Sequence, residues 1–137
     1  MAKELWLSLP VKDLAKSRQF FAELGFSFHP RHEGSDAMAG LIIGDKQVMV
    51  MLVPETTFKQ FTSHDIADTE RGSEVLISFD AESKEEVDEL LAKVDRAGGT
   101  IYGKPSDQGW MYGAGFSDLD GHRWNVLYMD ESQMPKG

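Results

Sequence analysis

The 137-residue sequence contains no cysteine. That removes disulfides, thiolate nucleophiles, Cys-ligated zinc and iron–sulfur clusters together, and it fits a reducing compartment. Positive charge is scarce: 14 Lys and Arg stand against 23 Asp and Glu, a net charge of −9. Such a surface disfavours phosphate backbones and anionic membranes, so neither nucleic acid nor a membrane is an expected partner. No apolar run approaches the roughly 18 residues of a membrane span. Met1-Ala2-Lys3-Glu4 opens without a signal-peptide core, so a cytoplasmic location is expected. Dinucleotide G-x-G-x-x-G, nucleophile-elbow G-x-S-x-G and zinc-protease H-E-x-x-H patterns are also missing. What is present is ordinary: 41% hydrophobic and 27% charged residues, too apolar for disorder and typical of a globular chain. At roughly 150 residues per domain, the length predicts one domain over residues 1–137.

One supersecondary unit occurs twice in the pattern. Leu5-Trp6-Leu7-Ser8-Leu9 alternates as a strand does, and Pro10 is expected to end it. Asp13 reads as a helix N-cap, with Leu14, Ser17, Phe21 and Leu24 at helical spacing and Gly25 as the stop. Strands are predicted near 26–29, 38–43 and 47–53, the last two joined by Gly44-Asp45-Lys46. After a polar connector (54–73) holding a short helix near 57–61, the order recurs. Glu74 to Phe79 alternates; Ser83 and Glu86 form a capping box; Val87, Leu90, Leu91 and Val94 make an apolar stripe; Gly98-Gly99 stop it. Strands follow near 100–102, 112–117 and 123–129, with Asp118-Leu119-Asp120-Gly121 turning between the last two. The predicted fold class is α+β: two tandem βαβββ modules (about 1–53 and 74–130) whose curved mixed sheet cups a cavity. A small-molecule pocket belongs inside such a cup.

Two motifs resemble the vicinal oxygen chelate superfamily, which contains glyoxalase I, bleomycin-resistance proteins, fosfomycin-resistance enzymes and extradiol dioxygenases. One is Leu9-Pro10-Val11-Lys12-Asp13-Leu14 with Ser17, Phe20-Phe21 and Leu24-Gly25-Phe26; the other runs from Phe116-Ser117-Asp118-Leu119-Asp120-Gly121-His122 to Trp124-Asn125-Val126. The resemblance covers essentially the whole chain and implies fold more than reaction. It also implies metal-ligand positions at Trp6, at Met49 or Met51, at Glu74 and at Asn125. Only Glu74 is a strong ligand among these, whereas a Zn²⁺, Ni²⁺ or Fe²⁺ site needs about three His or carboxylate donors. The inherited metal site is therefore expected to be degraded, and no cofactor is assured.

Strand parity places Leu5, Leu7, Leu9, Val75, Ile77 and Phe79 beneath the two helices. The opposite face carries Trp6, Ser8, Met49, Met51, Glu74, Leu76, Ser78, Asn125 and Leu127. Glu74, as a lone carboxylate on such a surface, is the candidate catalytic base. Trp6 is either a stacking platform for a planar ligand or filler for the lost metal space. Met49 and Met51 suit an adaptable pocket as well as a core. The segment 104–112, with Trp110 and Tyr112, has the composition of a loop over a binding site, and Gly113 and Gly115 signal a bulge or close backbone approach. His29, His32, His64 and His122 read as unliganded surface histidines. The expected function is a glyoxalase- or bleomycin-resistance-like homodimer that binds an apolar, aromatic small molecule carrying a donor or cationic group. The alternative is a divalent-metal lyase or extradiol-type dioxygenase of the same superfamily using Glu74.

Overall fold

The computed structural model describes residues 1–133. The chain divides into two compact units, the first ending at Gly72 and the second beginning at Ser73. In the first, β1 (Trp6–Val11), α1 (Leu14–Glu23), β2 (Ser27–Phe28), β3 (Ala39–Ile43) and β4 (Val48–Pro54) precede α2 (Glu55–Thr62). The second holds β5 (Leu76–Asp80), α3 (Lys84–Ala97), β6 (Thr100–Asp107), β7 (Met111–Ser117) and β8 (Arg123–Met129). Each unit forms a four-stranded mixed sheet, ordered β1-β4-β3-β2 in one and β5-β8-β7-β6 in the other. β1 lies parallel to β4 and β5 parallel to β8, while the remaining pairs are antiparallel. The tandem βαβββ reading therefore holds at the level of topology.

Local chemistry explains the elements. The Asp13 carboxylate accepts the backbone N–H of Lys16 at 3.1 Å, and Ser83 Oγ accepts that of Glu86 at 3.1 Å, so both long helices start on side-chain caps. α3 ends at Gly98, whose φ of +97° suits glycine in the left-handed region. In the first unit Phe20 and Phe21 of α1 and its C-cap Leu24 are buried with Leu9, Val11, Leu41, Val50 and Leu52. In the second, Val87, Leu90, Leu91 and Val94 of α3 are buried with Phe116, Trp124 and Val126. Phe116 and Trp124 are paired across β7 and β8 and stack with centroids 6.3 Å apart.

Three expectations are corrected. Pro10 does not end β1, which continues to Val11; β1 is an edge strand of its sheet, where a missing N–H is tolerated. Pro105 likewise does not turn 104–112 into a loop. β6 is also an edge strand, and it runs to Asp107 by shifting register between Ile101 and Gly103 and again before Ser106. Leu5 and Val75 lie outside their strands and are exposed, because the ladders begin only at the Trp6–Met49 and Leu76–Arg123 pairs.

Candidate functional site

Each sheet buries one face under its own helix, and the other face is built from the strand positions in between. In the first unit, the register sets Trp6 beside Met49 and Ser8 beside Met51. Gly40 pairs with Met51 and leaves room for its neighbours: a Cβ there would lie 3.3 Å from Met49 Sδ and 3.3 Å from His29 Cβ. Trp6 is 59% exposed and Met51 is buried. The result is an indole and two thioethers, with Ser8 as the polar exception. The His29 Nδ1 accepts the Arg31 N–H at 3.1 Å and is thereby used locally. A cleft of about 470 Å³ lined by Lys12, Arg18, Ser35 and Asp36 lies elsewhere in this unit and includes none of these face residues. There Arg18 Nη2 donates to the carbonyls of His32, Ser35 and Met38, which ties the loop down.

The second unit presents a more polar face. Leu76 pairs with Arg123, Ser78 with Asn125, and Asn125 with Gly115 on its other side. Leu127 pairs with Gly113, where a Cβ would run into Leu127 Cδ2. Ile101 pairs with buried Phe116, so the next residue of β6, Tyr102, alternates onto the same face as Gly115 and Asn125. Its ring lies over Gly115, at which a Cβ would sit 2.5 Å from Tyr102 Cζ. The Tyr102 hydroxyl donates to Asn125 Oδ1 at 3.1 Å, and the Arg123 guanidinium sits 4.2 Å from the Tyr102 ring centroid. Arg123, Tyr102 and Asn125 thus form one connected group.

Residue by residue, the expected site separates into three sets. Trp6, Ser8, Met49 and Met51 share the open face of the first sheet; Leu76, Ser78, Asn125 and Leu127 share that of the second. Glu74 is exposed in a bend ahead of β5, outside its ladder. Trp110 stands half-buried in the turn between β6 and β7, its carbonyl accepting the Asp130 N–H at 2.7 Å. Tyr112 belongs to the opposite face: its hydroxyl donates to Asp88 of α3 at 2.7 Å, and that bond raises the phenol above its ordinary pKa. The sequence reading missed Tyr102 and Arg123. Arg123 shared the parity of Asn125 and could have been found by it; parity also turns Tyr102 to this face, but its contact with Asn125 is made across β7 and depends on strand order. The two glycines were the available signal, and their close neighbours are Tyr102 and Leu127.

The donors at the inherited metal positions do not fit a divalent cation. Trp6 has no lone pair to offer, Met49 and Met51 are soft thioethers, Asn125 is a neutral oxygen donor already accepting from Tyr102, and Glu74, the one strong donor, stands exposed outside the β5 ladder. Among the described residues, no three His, Asp or Glu side chains come together as a metal-holding group.

Comparison with known proteins agrees with this architecture. The family model for the Glyoxalase/Bleomycin resistance protein/Dioxygenase superfamily matches residues 5–126. The hypothetical protein SA1046 from S. aureus is 38% identical, with 93% of this chain and 95% of that chain covered at a TM-score of 0.83. A glyoxalase-related enzyme from Fulvimarina pelagi is 17% identical, covering 100% and 94% at 0.77. The fosfomycin resistance protein FosX from Listeria monocytogenes is 20% identical, covering 93% of each chain at 0.65. These last two likenesses are of fold. No functionally curated protein matches the chain.

Proposed function

The chain belongs to the Glyoxalase/Bleomycin resistance protein/Dioxygenase superfamily, and on that premise we propose that it binds a small organic molecule on the open sheet faces without a divalent metal holding the ligand. The observation that carries this reading is the make-up of those faces. Apolar side chains (Trp6, Met49, Leu76, Leu127) alternate with a few hydrogen-bonding groups (Ser8, Ser78, Asn125), which is the chemistry of a ligand pocket. The donor set at the inherited positions supports the metal-free half. A second copy of the chain is proposed to cover these faces: Trp6 and Leu76 are 59% and 53% exposed in one chain, and large exposed apolar side chains favour association.

The test uses EDTA-treated protein and three aromatic probes of equal size, benzoate, benzamide and benzylamine, in a thermal-shift titration. Binding to the native state alone raises stability by RT ln(1 + [L]/Kd), about 2.7 kcal/mol at a hundredfold excess over Kd. At least one probe is expected to raise Tm saturably without added metal. Shifts that appear only after Mn²⁺, Ni²⁺ or Zn²⁺ is restored would transfer the assignment to a metal-dependent enzyme.

A further inference from the structure

We infer that the open face of the second sheet is an oxyanion-recognition site, taking a small organic carboxylate through Arg123 and Asn125 with the ligand's apolar body against Leu76 and Leu127. The inference rests on the proposal that this face binds a small molecule, and it fixes the sign of the charge. The Tyr102 hydroxyl donates its proton to Asn125 Oδ1. That bond, with the Trp124 carbonyl at 3.4 Å as the hydroxyl's other acceptor, turns the carboxamide oxygen toward Tyr102 and leaves the NH₂, a donor, to face a ligand. Arg123, whose guanidinium lies over the Tyr102 ring, makes no ion pair with any carboxylate among the described residues. A guanidinium held against an aromatic ring keeps N–H donors in the fork geometry that matches a carboxylate's two oxygens.

Register supports a common target. Arg123 and Asn125 are two apart on β8, so they project from the same face and are one pleat apart. Leu76 pairs with Arg123, and Leu127 follows Asn125 by one further pleat. A ligand with a carboxylate head and an apolar body matches that order of donors and alkyl groups. Gly115 is the enabling residue, since any Cβ there would meet the Tyr102 ring and break the group apart. The expectation of a cationic ligand came from Glu74, which stands outside the ladder; Arg123 and Asn125 ask for the opposite charge.

The test is a two-dimensional NMR titration of the full chain with benzoate, benzylamine and benzamide. Benzoate is expected to shift the amides of residues 76–78, 102–103 and 123–127 saturably. Arg123→Gln and Asn125→Asp should each weaken it at least about tenfold, as loss or reversal of a charge-assisted hydrogen bond requires. Both side chains lie on the open face, and circular dichroism melts of each variant are to match wild type before the titration is read. If benzylamine or benzamide perturbs the same amides and benzoate does not, the inference falls while the proposed function stands. Benzoate binding that survives Arg123→Gln also overturns it. If no probe perturbs this face the inference falls, and if none perturbs the open face of either sheet both fail.

Discussion

At the scale of single residues, Asp118 ties a turn to a buried ring. It is buried, its Oδ1 accepts the N–H groups of Asp120 and His122 at 3.0 Å each, and its Oδ2 accepts the Trp124 indole at 3.1 Å. Asp118→Ala strands the buried indole donor and should cost about 1–3 kcal/mol in urea denaturation; a change below about 0.5 kcal/mol would show that the bond is dispensable. Burial raises the Asp118 carboxyl above its ordinary value, against the pull of His122 and of its hydrogen-bond donors. The folded state therefore holds the proton to higher pH than the unfolded state does. The stability contributed by protonation is fully present below the ordinary value near 3.8 and is lost as pH rises through the folded value. Asp118→Asn should flatten that slope, and an unchanged pH profile would assign it to other groups. The D-x-D-G pattern around Asp118 was legible in the sequence as a turn. Its reach to the Trp124 indole was not, because side-chain contacts across a turn leave no periodic trace.

At the scale of elements, the helices were readable and the edges of the sheets were not. Periodic apolar residues, Asp13, Ser83, Gly25 and Gly98 marked both long helices because each marker satisfies a local backbone need. Ser83→Ala should lower stability by about 1 kcal/mol by removing the acceptor for the Glu86 N–H; calorimetric melting checks this, and an unchanged Tm would mean another acceptor replaces Ser83. Pro10 and Pro105 misled because their cost depends on where a strand sits in its sheet, and strand order is a tertiary property. The Tyr102 contact was hidden for a related reason: β6 and β8 meet only across β7, so it too depends on strand order. Gly115→Ala tests that contact. The added methyl should displace Tyr102 and release Asn125 while β7 and β8 stay paired, at a cost of about 1–3 kcal/mol for overpacking. NMR of the Tyr102 ring reads the displacement directly, and an unmoved ring would contradict the close approach.

At the scale of the whole molecule, repetition was the strongest message of the sequence. Two βαβββ patterns became two sheets of identical strand order, because turn residues, caps and apolar alternation all act within each module. The chemistry was less legible. Parity sorted Trp6, Ser8, Met49, Met51, Leu76, Ser78, Asn125 and Leu127 onto their open faces, but the polar group formed by Arg123, Tyr102 and Asn125 depends on a contact between non-adjacent strands. Exposed Trp6 and Leu76 lead to an assembly prediction: multi-angle light scattering should give a particle of two chains at micromolar concentration, and a monomer across a hundredfold range would remove the second copy from the account. The most direct measurement of the central claim is the benzoate titration of EDTA-treated wild-type protein followed by amide shifts. Saturable shifts confined to the Leu76–Ser78, Tyr102–Gly103 and Arg123–Leu127 stretches are expected; no shifts until a divalent metal is added would contradict it.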